Sequence, residues 1–189
     1  TQLVPHPMPF SNTEHGRQIA VIFGIPFHQL KFEDALEDCK RSIDTQKPTY
    51  ISNIDLEFAV AANQDEELKN IVFHAERVIC RSLLITHIAK NFGITWLRKV
   101  RLIMLLPSIL SYCENNEHSV YLFGSSFKEL KKTTQFINRR YPNLKIVGTK
   151  IKPEGEMFDW DNASISHEIE KAKPSLLLCA LGEENNAKW

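Results

Sequence analysis

The feature that most constrains this chain is an alternation. Short apolar runs rich in β-branched residues are each followed by a segment with apolar residues at helical spacing. Residues 19–25 (IAVIFGI), bounded by Gly24 and Pro26, read as a first strand. Phe32, Ala35, Leu36, Cys39 and Ile43 then recur as on a helix, with acids early and Lys40 and Arg41 late, matching the helix dipole. Strands are expected at 49–54, 77–80, 119–123, 144–147 and 175–181. Helices are expected at 56–63, 65–73 (capped by Asp65), 83–92 (stopped by Gly93), 102–117, 127–141 and 164–172. Pro107 either kinks the 102–117 helix or marks its late start. Strand–helix–strand repetition predicts right-handed crossovers and a mostly parallel sheet with helices on both faces. The expectation is a single α/β domain over 19–189 behind an irregular, proline-rich arm at 1–18, with 150–162 as a mobile loop.

Composition removes several classes. Lysine plus arginine and aspartate plus glutamate are 23 each, so bulk positive charge does not drive nucleic-acid binding. Every apolar run, 102–106 among them, is far short of the ~20 residues of a membrane helix, and no signal-peptide pattern opens the chain. Cys39, Cys80, Cys113 and Cys179 are widely spaced without a CxxC pair, which speaks for reduced thiols in a cytoplasmic protein rather than zinc or disulfides. No two histidines lie three to five residues apart, so no helix-borne metal site is expected. Neither GxGxxG nor GxxxxGK[ST] occurs, and no cofactor is expected.

In open parallel sheets ligands sit beyond the carboxyl ends of the strands. That rule selects Asn53 and Asp55, Arg81 and Ser82, Gly124 to Ser126, Thr149 and Lys150, and Gly182 to Asn186. Gly124-Ser125-Ser126 precedes a helix whose free amides can hold a phosphate or carboxylate, or it is a plain strand-to-helix turn. Lys128, Lys131, Lys132, Arg139 and Arg140 form a basic helix face, either simply solvated or meeting phosphates or anionic lipid.

Four stretches carry a family resemblance by their order and spacing: IFGIPFHQLKFEDALEDCKRSI, DEELKNIVFHAERVI, VYLFGSSFKELKKTTQFINRRYPNLKIVGT and KPSLLLCALGEENNAKW. Together they resemble the WecG/TagA/CpsF family of bacterial glycosyltransferases over nearly all of the chain after residue 20, and RRYPNLKIVGT is the most specific part. The resemblance implies a Rossmann-like α/β fold. It implies transfer of an N-acetylmannosamine-type sugar from a UDP-sugar to a polyprenyl-diphosphate-linked saccharide, without a metal. The implied setting is teichoic acid, common antigen, capsule or exopolysaccharide synthesis at the cytoplasmic face of the plasma membrane. The family pattern continues past Lys-Trp into a tail that these 189 residues do not contain.

The departures from the family pattern fall on its chemistry. Its Thr-x-Asn-x-x-His lands on Asn53, Asp55 and Phe58, and its Pro-Asp-Gly, which supplies the proposed base, on Cys80, Arg81 and Ser82. A following glycine is Leu84, and Val-Thr-Gly-Ser-Asp becomes Val100, Arg101, Leu102, Ile103 and Met104. Ser125 replaces the second glycine of a Gly-Gly turn, and Glu184, Asn185, Asn186 and Ala187 replace Pro-Lys-Gln-Glu. Arginine stays protonated and cannot serve as a base. Leu102, Ile103 and Met104, each worth roughly 1.5–3 kcal/mol on burial, are expected to plug the sugar pocket or to form an apolar contact with another chain.

Three readings stay open. The first is a degenerate scaffold or regulator that pairs with a protein partner or with itself through the 102–110 helix. The second is an active transferase in which Asp55 is the base and Arg81 or Arg101 neutralises the leaving diphosphate. The third is a nucleotide-binding module without turnover. Substrate contacts in the active reading fall on Asn53, Arg81, Ser82, Arg101, Gly124, Ser125, Gly182 and Asn186.

Overall fold

The computed structural model describes residues 12–14 and 17–189. In chain order the elements are β1 (Asn12–Glu14), β2 (Arg17–Ile22), β3 (Ile25–His28), α1 (Phe32–Thr45), β4 (Ile51–Ile54), α2 (Leu56–Gln64), α3 (Glu66–Phe73), β5 (Arg77–Cys80), α4 (Leu83–Asn91), α5 (Leu106–Asn115), β6 (Ser119–Gly124), α6 (Phe127–Arg140), β7 (Lys145–Lys150), α7 (Asn162–Ala172), β8 (Leu176–Ala180) and α8 (Glu183–Lys188). The architecture is mixed α/β, with the parallel strand–helix–strand units of a Rossmann-like fold. The chain divides into two compact units, one of 1–32 and 50–102, the other of 33–49 and 103–189.

In the first unit the opening apolar run departs from the expected single strand. It folds back on itself as a hairpin, β2 pairing antiparallel with β3 in the register Ile22↔Ile25. Phe23 (φ 53°) and Gly24 (φ 74°) both take positive φ, the two-residue turn whose twist suits a hairpin. An apolar run does not reveal where it turns, because both arms carry the same residue types. The arm expected to be irregular at 1–18 also needs correction where it is described. Asn12–Glu14 pairs with Arg17–Ile19 of β2, and such a short polar strand rests on main-chain bonds that leave no apolar pattern. Residues 1–11, 15 and 16 of that arm lie outside the described residues.

β4 and β5 are parallel, with Ile51↔Arg77 through Ile54↔Cys80 in register, and α2 and α3 form the crossover. Phe58, Leu68, Val72, Val78, Ile79 and Ile85 are buried. Side chains start the three helices: Asp55 accepts from Phe58 N (2.8 Å), Asp65 from Glu67 N (2.9 Å), and Ser82 from Ile85 N (3.3 Å). Each cap contributes about 1 kcal/mol. Val78 N–H donates to His28 Nδ1 at 2.9 Å, tying β5 to the end of β3.

In the second unit the sheet order is β7-β6-β8, all parallel. β6 lies in the middle, and its Val120 to Phe123 are buried on both faces. β7 alternates exposed and half-buried positions, as an edge strand does, rather than being covered on both sides. Tyr121, Phe123, Trp160, Ile165, Ile169 and Leu181 form a buried cluster, with Met157 and Trp189 packed against it. Phe123 and Trp189 have ring centroids 4.7 Å apart.

Of the two readings of Pro107, a kink or a late start, the structure has the late start: a 3-10 turn over Leu102–Met104 precedes α5, and Pro107 sits in the first turn of α5, where its missing N–H costs nothing. Residues 150–162 are a loop that holds a 3-10 turn at Met157–Asp159 and the buried Trp160, whose Nε1–H donates to Gly155 O at 3.3 Å.

Candidate functional site

Four of the expected site residues stand at the carboxyl ends of β4 and β5 in the first unit. Asn53 lies in β4 opposite Ile79, and its Oδ1 is buried without a hydrogen-bond partner among the described residues. That leaves an acceptor which a bound hydroxyl or amide can satisfy. Asp55 follows β4 directly and is committed twice. One carboxylate oxygen caps α2, and the other receives Arg81 Nη2 in an ion pair bridging the two strand ends. The Asp55 and Arg81 side chains are 22% and 36% exposed. Ser82 spends its hydroxyl on the cap of α4, and its carbonyl accepts from Cys80 Sγ at 3.3 Å. Val100 N–H donates to Cys80 O at 2.8 Å, which brings the following segment alongside β5, and Arg101 is exposed.

Gly124, Ser125, Gly182 and Asn186 fall in the second unit. β6 connects through α6 to β7 on one side, and β7 connects through α7 to β8 on the other. The order of strands therefore reverses beside β6, where open α/β sheets bind ligands. Here the pairing runs one residue past the end of β6. Gly124 remains paired with Ala180, and Ser125 N–H donates to Ala180 O at 2.8 Å. A Cβ on Gly124 (φ 109°) would lie 2.5 Å from the same carbonyl oxygen, so only glycine fits.

The turn after β6 does hold a carboxylate, but it is the chain's own. Glu129 Oε2 accepts from Ser125 Oγ (2.7 Å), Ser126 Oγ (2.9 Å) and Ser126 N (3.3 Å). Ser126 Oγ in return accepts from Glu129 N, completing a capping box. The hydrogen bond from Ser125, then those from Ser126, hold the Glu129 carboxyl below its ordinary range. The spacing Ser126-x-x-Glu129 is a legible cap signature, and it is the signal that identifies this occupant in the sequence.

Lys150, at the end of β7, is paired with Glu168, which also accepts from Tyr121 Oη at 2.8 Å. Lys150 and then Tyr121 hold the Glu168 carboxyl down, while burial first, and then Glu168, push the Tyr121 phenol up to about 12. Gly182 (φ 96°) opens α8, and Asn186 Oδ1 turns back to accept from Leu181 N at 2.9 Å. Trp189 Nε1–H donates to Asn162 Oδ1 at 2.9 Å. The Lys-Trp end is thereby folded onto the aromatic cluster.

Ile103 and Met104, expected to plug the pocket or to form an apolar contact with another chain, are 68% and 61% exposed, which sets aside the plug and not the contact; the Leu102 side chain lies outside what is described. A three-residue 3-10 turn cannot turn all its side chains inward at once. All four cysteines are free thiols, and burial raises the pKa of each, Cys113 and Cys179 to about 11. Among the described residues no three His, Cys, Asp or Glu side chains are grouped to share a metal ion, and no helix is long and apolar enough to cross a membrane.

Comparison with curated proteins gave no match. Comparison with protein families did: residues 20–189 match the glycosyl transferase WecG/TagA/CpsF family, from Ala20 within β2 through to the final tryptophan. With its parallel strand–helix–strand units and its terminal Lys-Trp in place, this chain belongs to the WecG/TagA/CpsF glycosyltransferase family of polysaccharide biosynthesis.

Proposed function

We propose that this chain is a catalytically degenerate member of its family, serving cell-surface polysaccharide assembly as a scaffold or regulator rather than transferring sugar. The observation that carries this reading is the Asp55–Arg81 pair. Asp55 is the carboxylate left at these strand ends, and it caps a helix with one oxygen and binds a permanent cation with the other. A general base has to accept a proton from the acceptor hydroxyl in the transition state. Losing that function lowers rate by about 10²–10⁴. Arg81, standing where the family carries its proposed base, has no lone pair to offer.

The turn after β6 supports the same reading. A nucleoside diphosphate needs free donors and no competing negative charge. At this turn the Ser125 and Ser126 donors already serve Glu129 or Ala180. Repulsion between the ionised Glu129 and a diphosphate then disfavours the bound state. The active alternative, a UDP-sugar transferase acting on a polyprenyl-diphosphate-linked saccharide, requires both arrangements to open.

Titration calorimetry with UDP and a turnover assay with UDP-N-acetylmannosamine and a lipid-linked acceptor test this. The expected result is no binding heat at millimolar UDP and no transfer. Transfer would reject the proposal, and UDP binding without transfer would replace it with a nucleotide-binding module.

A further inference from the structure

The net-neutral chain distributes its charges unevenly. Between Glu76 and Glu114 there is no acidic residue, while Arg77, Arg81, Lys90, Arg98, Lys99 and Arg101 all fall there. Arg81 is neutralised by Asp55. Lys90, Arg98, Lys99 and Arg101 form no salt bridge among the described residues.

The same stretch exposes large apolar side chains. α4 buries Ile85 and Ala89, and on its outer side Leu83 and Leu84 are 67% and 52% exposed. Phe92, just after the helix, is 71% exposed. Leu83, Leu84, His87 and Lys90 line a cavity of about 600 Å³ together with Arg98 and Lys99. The buried Leu97 and half-buried Ile94 also line it. Apolar side chains ringed by unneutralised cations, all on one helix and the segment after it, suit a surface that is anionic outside and apolar beneath.

We propose that α4 and residues 94–101 form a docking surface for an anionic phospholipid bilayer, with Leu83 and Leu84 entering the acyl boundary and Lys90, Arg98 and Lys99 meeting lipid phosphates. Charge complementarity selects this occupant, since a neutral apolar partner would leave the cations desolvated and unpaired. The proposal does not depend on the presence or absence of sugar transfer.

Vesicle cosedimentation tests it, with phosphatidylcholine alone against phosphatidylcholine containing about 30% phosphatidylglycerol. The 189-residue chain is expected to partition onto the anionic vesicles and not the neutral ones, and to be released by salt. Each cation near such a surface contributes about fivefold, so K90Q/R98Q/K99Q lowers partitioning by about a hundredfold. L83S/L84S lowers it as well while keeping the salt dependence. K128Q/K131Q/K132Q on α6 leaves it unchanged, which separates this surface from the second basic stretch. Equal binding to neutral vesicles, no binding to anionic ones, or loss in the α6 variant alone would overturn the proposal. So would self-association through Leu83 and Leu84 that persists when anionic vesicles are added.

Discussion

Replacing Asp55 separates a structural carboxylate from a catalytic one. Asp55→Ala removes the cap of α2, worth about 1 kcal/mol. It also removes the ion pair with Arg81. The two side chains are 22% and 36% exposed, so water screens the pair and takes over the arginine when its partner is lost. The pair therefore adds at most about 1 kcal/mol. The sum is about 1–2 kcal/mol, or a fall in Tm of about 3–6 °C for a chain of this length. Asp55→Asn keeps an acceptor that caps almost as well and gives up only the charge pairing, so it should lose less than about 1 kcal/mol. Urea unfolding of the three proteins reads these differences, and a transfer assay on the same samples reads chemistry. The reasoning fails if the asparagine variant is destabilised as much as the alanine variant. It also fails if both variants keep full stability while a measurable wild-type transfer activity disappears.

Further outcomes follow from the second unit and from the thiols. Gly124→Ala places a methyl group 2.5 Å from the Ala180 carbonyl oxygen at φ 109°, so thermal unfolding should show a loss of about 2 kcal/mol or more; a wild-type melt would mean the strand ends are not held together. Glu117, Glu129 and Glu168 all have carboxyl pKa values lowered from 4.5, so their contribution to stability is present above that value and is lost as pH falls through the lower folded values. Urea melts across pH 6 to 3 should show this decline, and Glu168→Gln, which cannot titrate, should flatten it. Burial raises the pKa of all four thiols, so a maleimide at about pH 7.5 should label the native chain slowly and the denatured chain fast. Rapid native labelling of Cys80 or Cys113 would contradict their burial.

Much of this protein is written locally. Asp65 caps α3, Arg77–Cys80 is a strand, Gly93 follows α4, and the basic α6 runs from Phe127 to Arg140, all as side-chain type and spacing within one or two turns require. The family pattern is equally legible, because it is a matter of residue order. What the sequence left open depends on partners far apart in the chain. Asp55 is a candidate base by its place at a strand end, and its pairing with Arg81, 26 residues on, is not legible in the local sequence. Ile103 and Met104 were expected to plug a pocket or to meet another chain, and a short 3-10 turn leaves them exposed. Helix caps and strand runs are decided by neighbours that the covalent chain already holds close. Ion pairs, strand order and burial are decided by which distant segments meet, and that choice belongs to the folded chain as a whole.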